Sequence, residues 1–546
     1  MKLHYLACAA LALGASPALA QGPIVDAPSG SVRGTLDGSI RTFKGIPYAV
    51  PPTGGMRWRP PAPMQSWKGV RDAAKFGAAC VQPQGKTLSV YSPAEPLPVS
   101  EDCLTLNIWA PADAKRAPVF FWIHGGALTT GSSREAMYDG KRLAGQGVIV
   151  VSINYRLGVL GWLAHPALSA ESPQKVSGNY GLLDQMAALA WVKHNIAAFG
   201  GDPANVTIAG ESAGGLSVLF LMQSPLARGT FAKAVAQSAY MVSMPELKKS
   251  AYGAPSAEAV GQMLAAGVQA PDVVALRGMD GQTLTDGAAK LGFFPFGVVD
   301  GLVLPEQMVA TFDKGRQAPV PILAGFNQGE IRSLMMLAPK APGSAADYEK
   351  AIRERYGAFA DAFLRLYPAA DYKESILATT RDALYGWTAE RLVRKQTALG
   401  QPAYLYLFDH GTPATAAGGL HAFHASELPY VFGTFDGTPP RWPKVPESDR
   451  PLSDAMIDYW ASFAKSGKTD QGWPAYGDAR NYMHFADTPQ AKAGLMPGMY
   501  EQYEAVVCRR RAAGVAWNWN VGLASPPLPP KAAGCDQADA AIPAPG

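Results

Sequence analysis

"VTIAGESAGGLS", residues 206–217, is a short apolar run that breaks at Gly-Glu-Ser-Ala-Gly and then resumes as small, helix-compatible residues. Val206 to Ala209 reads as a strand and Ala213 to Met222 as a helix, so Ser212 falls on the turn between them. Gly210 and Gly214 stand two positions to either side. A strained strand-to-helix turn that exposes a serine hydroxyl needs this spacing, because only small flanking residues let the two backbones pass closely. The pattern also arises by chance in glycine-rich chains, and this chain has 57 glycines. The rest of the sequence has to supply the partners of such a serine.

Outward from Ser212, short apolar runs alternate with amphipathic ones. "PVFFWIHGG" (118–126) and "GVIVVSINYRLG" (147–158) read as buried strands. "NYGLLDQMAALAWVKHNIAAFGG" (179–201) reads as a helix with a glycine stop, and "ANVTIAG" (204–210) as the next strand. Strand, helix, strand in succession predicts an α/β fold with a central, mostly parallel twisted sheet covered by helices on both faces. "APVPILAGFN" (318–327) and "PAYLYLFDH" (402–410) are later strands separated by more than seventy residues rich in helix formers. Large helical insertions therefore lie between the later strands, and residues 241–292 and 335–401 are expected to wall an active-site gorge.

The chain's 546 residues carry 48 basic and 44 acidic side chains, a formal charge of +4 without a dense basic stripe, which argues against nucleic acid as a partner. Lys2, the apolar stretch Leu3 to Leu13 and the Ala18-Leu19-Ala20 end form a secretory signal peptide over residues 1–20, which predicts a secreted or periplasmic protein with no stable membrane insertion once it is cleaved. Cys8 leaves with that segment. Cys80, Cys103, Cys508 and Cys535 remain, an even number in an oxidising compartment, and sequence proximity favours Cys80 with Cys103 and Cys508 with Cys535. The expected organisation is one hydrolase domain over 21–505 and a Pro/Ala-rich extension over 506–546 that the second pair ties down.

A serine hydroxyl needs a general base, and the base needs an orienting acid. Downstream of Ser212 stand four histidines, His410, His421, His424 and His484. His424, in "HAFHASELPYVFG", suits a loop leaving the last strands, with His421 as the alternative. Glu330 follows the strand in "VPILAGFNQGE", where loops at the carboxyl edge of a parallel sheet form sites, whereas Asp300 in "GVVDG" reads as a turn residue. "WIHGGALTTGS" offers Gly125, Gly126 and Ala127 for a Gly-rich oxyanion turn, with Ala213 after the serine as a further amide donor. No metal-ligand spacing appears, and neither a metal nor an organic cofactor is expected.

These landmarks, with "FKGIPYAVPPTGGMRWRPP" (43–61), "SEDCLTLNIWAP" (100–111), "SINYRLGVLGWL" (152–163) and "ELPYVFG" (427–433), resemble the type-B carboxylesterases over residues 24–505. That family of α/β hydrolases includes cholinesterases, many secreted microbial esterases and the non-catalytic neuroligins. The resemblance implies an α/β-hydrolase fold, Ser212 as nucleophile, Glu330 as acid, His424 as base, and oxyanion donors at Gly126, Ala127 and Ala213. It also implies a Cys80–Cys103 disulfide and places Glu211 close to the site, either as a support for the loop or as a direct participant. The loop closed by that disulfide has one aromatic, Tyr91, and lacks the tryptophan that cholinesterases set against a quaternary ammonium, which argues against cholinesterase activity.

The expected function is a secreted carboxylesterase acting on a small-molecule ester through an acyl-enzyme. Two alternatives are a catalytically silent, neuroligin-like binding protein and an amidase or thioesterase with the same triad. Phe293 in "GFFPFGVVDG" is read as lining an apolar substrate subsite, or equally as ordinary core. Arg332, Arg381 and Arg441 favour an acidic substrate if they line the pocket and are otherwise surface residues.

Overall fold

A computed structural model of the protein describes residues 22–84, 89–92, 97–469, 472–517 and 521–542; the expected signal peptide lies outside them. Among the described residues eleven strands form the main sheet. In chain order they are β1 (Thr35–Asp37), β2 (Ile40–Pro47), β3 (Thr105–Pro111), β4 (Ala117–Ile123), β5 (Ile149–Ile153) and β6 (Gly201–Glu211). They continue with β7 (Lys233–Gln237), β8 (Ile322–Asn327), β9 (Ala403–Phe408), β10 (Asn481–Phe485) and β11 (Pro489–Ala493). Across the sheet the order is β11-β10-β9-β8-β7-β6-β4-β5-β3-β2-β1. Pairing from β5 to β10 is parallel throughout, and only the margins are antiparallel.

Alternate residues of the central strands serve opposite layers, as the two-residue period of a strand requires. In β4, Phe121 and Ile123 join Leu189 and Val192 of α1 (Tyr180–Asn195) and Leu216 and Leu219 of α2 (Ala213–Gln223). Phe120 and Trp122 face the other way, into a cluster with Tyr406, Met456, Trp460 and Phe463. Both faces are thus buried, which is why these strands read as continuous apolar runs. The Asp184 carboxylate of α1 receives Arg156 Nε at 2.8 Å, Nη2 at 2.7 Å and the Arg156 backbone N–H at 3.0 Å, fixing α1 to the segment after β5.

The sequence reading assigned no strands to the segments that form β1–β3 or to the 481–493 hairpin; these pair at the margins of the sheet. Both disulfides form, Cys80–Cys103 and Cys508–Cys535. The boundary expected after residue 505 falls inside a helix, Met499–Ala512, whose buried face of Tyr503, Val506 and Val507 continues without a break, so the extension begins within regular structure. Among the described residues no helix is long and apolar enough to cross a membrane.

Candidate active site

Five neighbouring strands, β4, β6, β7, β8 and β9, end at the same edge of the sheet, and the candidate residues lie in the segments that leave them. Ser212 follows β6 with φ 56° and ψ −121°, a left-handed conformation that side chains rarely adopt and the one expected of an elbow. A Cβ on Gly214 would stand 2.0 Å from Ile123 O, and one on Gly210 would stand 2.4 Å from the Gly214 backbone. The close passage inferred from the Gly-x-Ser-x-Gly spacing is therefore real.

The turn after β4 lies directly against this elbow. A Cβ on Gly125 would meet Glu211 O at 2.9 Å and Ser212 Cβ at 3.2 Å. Gly126, Ala127 and Leu128 all have positive φ, at 104°, 55° and 57°. The N–H groups of Gly126, Ala127 and Ala213 form no hydrogen bond among the described residues, while Gly126 O accepts from Thr129 N at 3.0 Å and Thr130 N at 2.9 Å. Unengaged amides on a rigid turn beside a serine are what an anionic oxygen requires. His124 holds this turn from beneath: its Nδ1 lies 2.8 Å from Gly125 O, its ring stacks on Tyr155, and the Tyr155 hydroxyl donates to His124 O at 2.9 Å. Burial lowers His124 to about 4, so it is a neutral structural residue.

Glu330 and His424 come together through a short hydrogen bond between Glu330 Oε2 and His424 Nδ1. The other Glu330 oxygen accepts from Ser238 Oγ at 2.6 Å and from Asn327 N at 2.8 Å, so the fully buried carboxyl is held at both oxygens. His424 Nε2 is 3.1 Å from Glu211 Oε1, on the residue immediately before Ser212. Tyr91, inside the Cys80–Cys103 loop, donates to His424 O at 3.0 Å and pairs with Ser333 Oγ at 2.6 Å. His421 is engaged elsewhere, with Nε2 2.9 Å from Asp409 Oδ1. Asp300 is the turn residue read from the sequence, accepting the N–H groups of Leu302, Val303 and Leu304.

The site is rich in buried acid. Burial drives Glu211 well above the usual carboxylate range, offset by the His424 charge and reinforced by Glu427 and Glu330. Burial acts against protonation of His424, but Glu211, Glu330 and the Glu330 hydrogen bond outweigh it and raise the imidazole to about 9. Glu211 and His424 are thus coupled, the imidazolium favouring the carboxylate and the carboxylate favouring the imidazolium. Glu427, raised by burial to about 7, accepts from Gln237 Nε2 at 2.9 Å and Asn327 Nδ2 at 2.6 Å. Among the described residues Glu211 Oε1 accepts no hydrogen bond, and it faces the imidazole across 3.1 Å.

Ser238, Gln237, Asn327, Glu427, Tyr240 and Tyr385 were not singled out from the sequence. Tyr385 sits on a π-helical turn, Asp382–Gly386, immediately before α3 (Trp387–Ala398), and its ring centre lies 5.3 Å from that of His424. Phe293 packs against the satellite core cluster of Leu160, Leu264 and Leu284, which is the packing alternative raised for it. Arg332 and Arg381 line a cavity of about 440 Å³ behind the Glu330 segment, where Arg332 pairs with Glu374 and Arg381 with Asp382. Their charges are already matched, and neither stands at the serine elbow.

A family model described as the carboxylesterase family matches residues 21–503. The chain belongs to this family. Fumonisin B1 esterase of Sphingopyxis macrogoltabida is 37% identical over 496 residues, covering 86% of this chain and 87% of the relative. Para-nitrobenzyl esterase of Bacillus subtilis is 36% identical over 470 residues, covering 83% and 92%. A solved PNB esterase structure superposes with a TM-score of 0.76 at 32% identity, over 88% of this chain and 99% of that one. The Geobacillus stearothermophilus carboxylesterase superposes with a TM-score of 0.69 at 32% identity, over 90% and 99%. The carboxylesterase described here has the α/β-hydrolase fold and hydrolyses carboxylic esters.

Proposed function

We propose that this carboxylesterase is an exported serine hydrolase that cleaves a small-molecule ester through a Ser212–His424–Glu330 triad. Ser212 Oγ attacks the ester carbonyl and His424 Nε2 takes its proton, while Glu330 holds the Nδ1 proton and stabilises the imidazolium. The carbonyl oxygen, now an anion, is received by the N–H groups of Gly126, Ala127 and Ala213. His424 then protonates the leaving alcohol, which departs and leaves Ser212 acylated. Water adds by the same path in reverse, releasing the acid and restoring the serine.

The observation that carries this reading is the doubly anchored Glu330 carboxyl bound to His424 Nδ1, which leaves Nε2 directed at the residue beside a strained Ser212. Two disulfides and the N-terminal Lys2 to Ala20 pattern support export after cleavage behind Ala20.

The test is hydrolysis of a p-nitrophenyl ester series by protein lacking residues 1–20, beside Ser212→Ala, with an organophosphonate label located by mass spectrometry. A nitrophenol burst in the parent alone, with the label on Ser212, is expected. Turnover that survives in Ser212→Ala, or a label elsewhere, overturns the triad. The relative named for fumonisin B1 makes that compound a natural member of the ester panel.

A further inference from the structure

The family match ends at residue 503, yet the chain continues through the rest of the helix Met499–Ala512, here α4, and an extension beyond it. That extension is fastened to the body at many points. Cys508 of α4 is bonded to Cys535, and Arg509 binds Asp539 through Nε at 3.1 Å and Nη2 at 2.7 Å. Leu528 N donates to Arg355 O at 2.7 Å, and Gly522 N donates to the Tyr356 hydroxyl at 2.9 Å. A tail that only needed to be kept out of the way would not require an ordered set of polar contacts with both α4 and the helix Ala345–Tyr356.

Trp517, the innermost residue of this segment, is completely buried. Its indole N–H donates to Met241 O at 3.2 Å, and its ring stands edge-on to Tyr252 at 5.1 Å. Met241 belongs to the segment leaving β7, three residues beyond the Ser238 that holds Glu330. Met241 N donates to Thr388 Oγ1 at 3.0 Å, and Thr388 Oγ1 donates to Leu384 O at 2.7 Å, on the π-helical turn. Tyr240 and Tyr385 meet edge to face at 6.2 Å, and Tyr385 lies beside His424. The extension is therefore joined by packing and hydrogen bonds to Tyr385, which lies beside the imidazole, and to Tyr240, which packs on Tyr385.

We propose that the C-terminal extension buttresses the active-site wall, with Trp517 as a positioning residue that fixes Tyr240 and Tyr385 and so limits the bulk of the ester the site accepts. The inference rests on the serine-esterase reading above. π-helical turns are rare, and they recur at functional sites. Removing the indole takes away the hydrogen bond to Met241 O and the packing behind the segment that carries Tyr240, and so lets the tyrosine pair move apart. The Cys508–Cys535 bond acts upstream of Trp517 by keeping the segment seated.

The test compares the parent with Trp517→Ala, Trp517→Phe and the double variant Cys508→Ser/Cys535→Ser, over p-nitrophenyl esters from acetate to decanoate. Trp517→Ala should raise kcat/KM for the long esters relative to acetate by about tenfold, through a lower KM for the long esters and with kcat for acetate unchanged. Trp517→Phe should return the ratio towards that of the parent, and the serine pair should shift it in the same direction as Trp517→Ala. Should Trp517→Ala fail to fold, the serine pair carries the test. A chain-length profile that is unchanged in the folded variants, or one in which all esters fall together, overturns the proposal while leaving the triad standing. A folded parent without activity on any ester overturns the serine-esterase reading, and this inference falls with it.

Discussion

Replacing Glu211 with glutamine keeps the volume of the side chain and removes its negative charge from the face of His424. At 3.1 Å, with an effective dielectric constant near 20, a fully ionised Glu211 stabilises the imidazolium by about 5 kcal/mol. Burial opposes ionisation of the carboxyl, so the expected effect is smaller, roughly 1.4–4 kcal/mol. The sign follows from the pair: a nearby carboxylate raises the imidazole, so its loss lowers the pH at which His424 becomes a free base. The assay is kcat/KM for a short p-nitrophenyl ester between about pH 5 and 10, whose acid limb reports the base of the free enzyme. Glu211→Gln should move that limb to lower pH by at least one unit and leave the plateau within about tenfold of the parent. An acid limb that stays in place in a folded Glu211→Gln protein would refute the claim that Glu211 raises the imidazole.

Three further outcomes follow from the geometry. Glu427 is raised from 4.5 to about 7 in the folded protein, so it contributes stability that is fully present below the unfolded value and is lost as pH rises through 7. The loss amounts to about 3 kcal/mol, and Glu427→Gln should flatten the decline of denaturation free energy over that interval. Gly214→Ala places a methyl 2.0 Å from Ile123 O and should cost about 3 kcal/mol or more, read as loss of soluble protein or a lowered Tm. Asp184→Ala strands the nearly inaccessible Arg156 charge and should destabilise by about 3–5 kcal/mol in urea titration.

The parts of this molecule that were legible in the sequence are those that local chemistry dictates. The glycines around Ser212, the apolar run of β4 and the glycine stop of α1 each answer to a constraint within a few residues. Glu330 was readable because it closely follows an apolar strand, and His424 because few histidines lie downstream of the serine. Ser238 and Gln237 were invisible for the opposite reason: they are ordinary polar residues whose role depends on β7 lying between β6 and β8. Tyr385 sits within an amphipathic helical stretch, and nothing in its neighbours announces the π-helical turn that brings it to the imidazole. Phe293, read equally as pocket lining or core, is half-buried against the cluster of Leu160, Leu264 and Leu284.

The common sheet edge has one consequence for the life of the chain. The amides at Gly126 and the imidazole at His424 are brought into one site only when β4 and β9, at opposite ends of a five-strand block, are both docked. No fragment that stops short of β9 holds the proposed base, and no collapsed state with a misplaced strand aligns it with Ser212. Esterase activity in this protein is therefore a readout of the finished sheet. A chain held unfolded carries no active hydrolase with it, and the ester-cleaving function begins where folding ends.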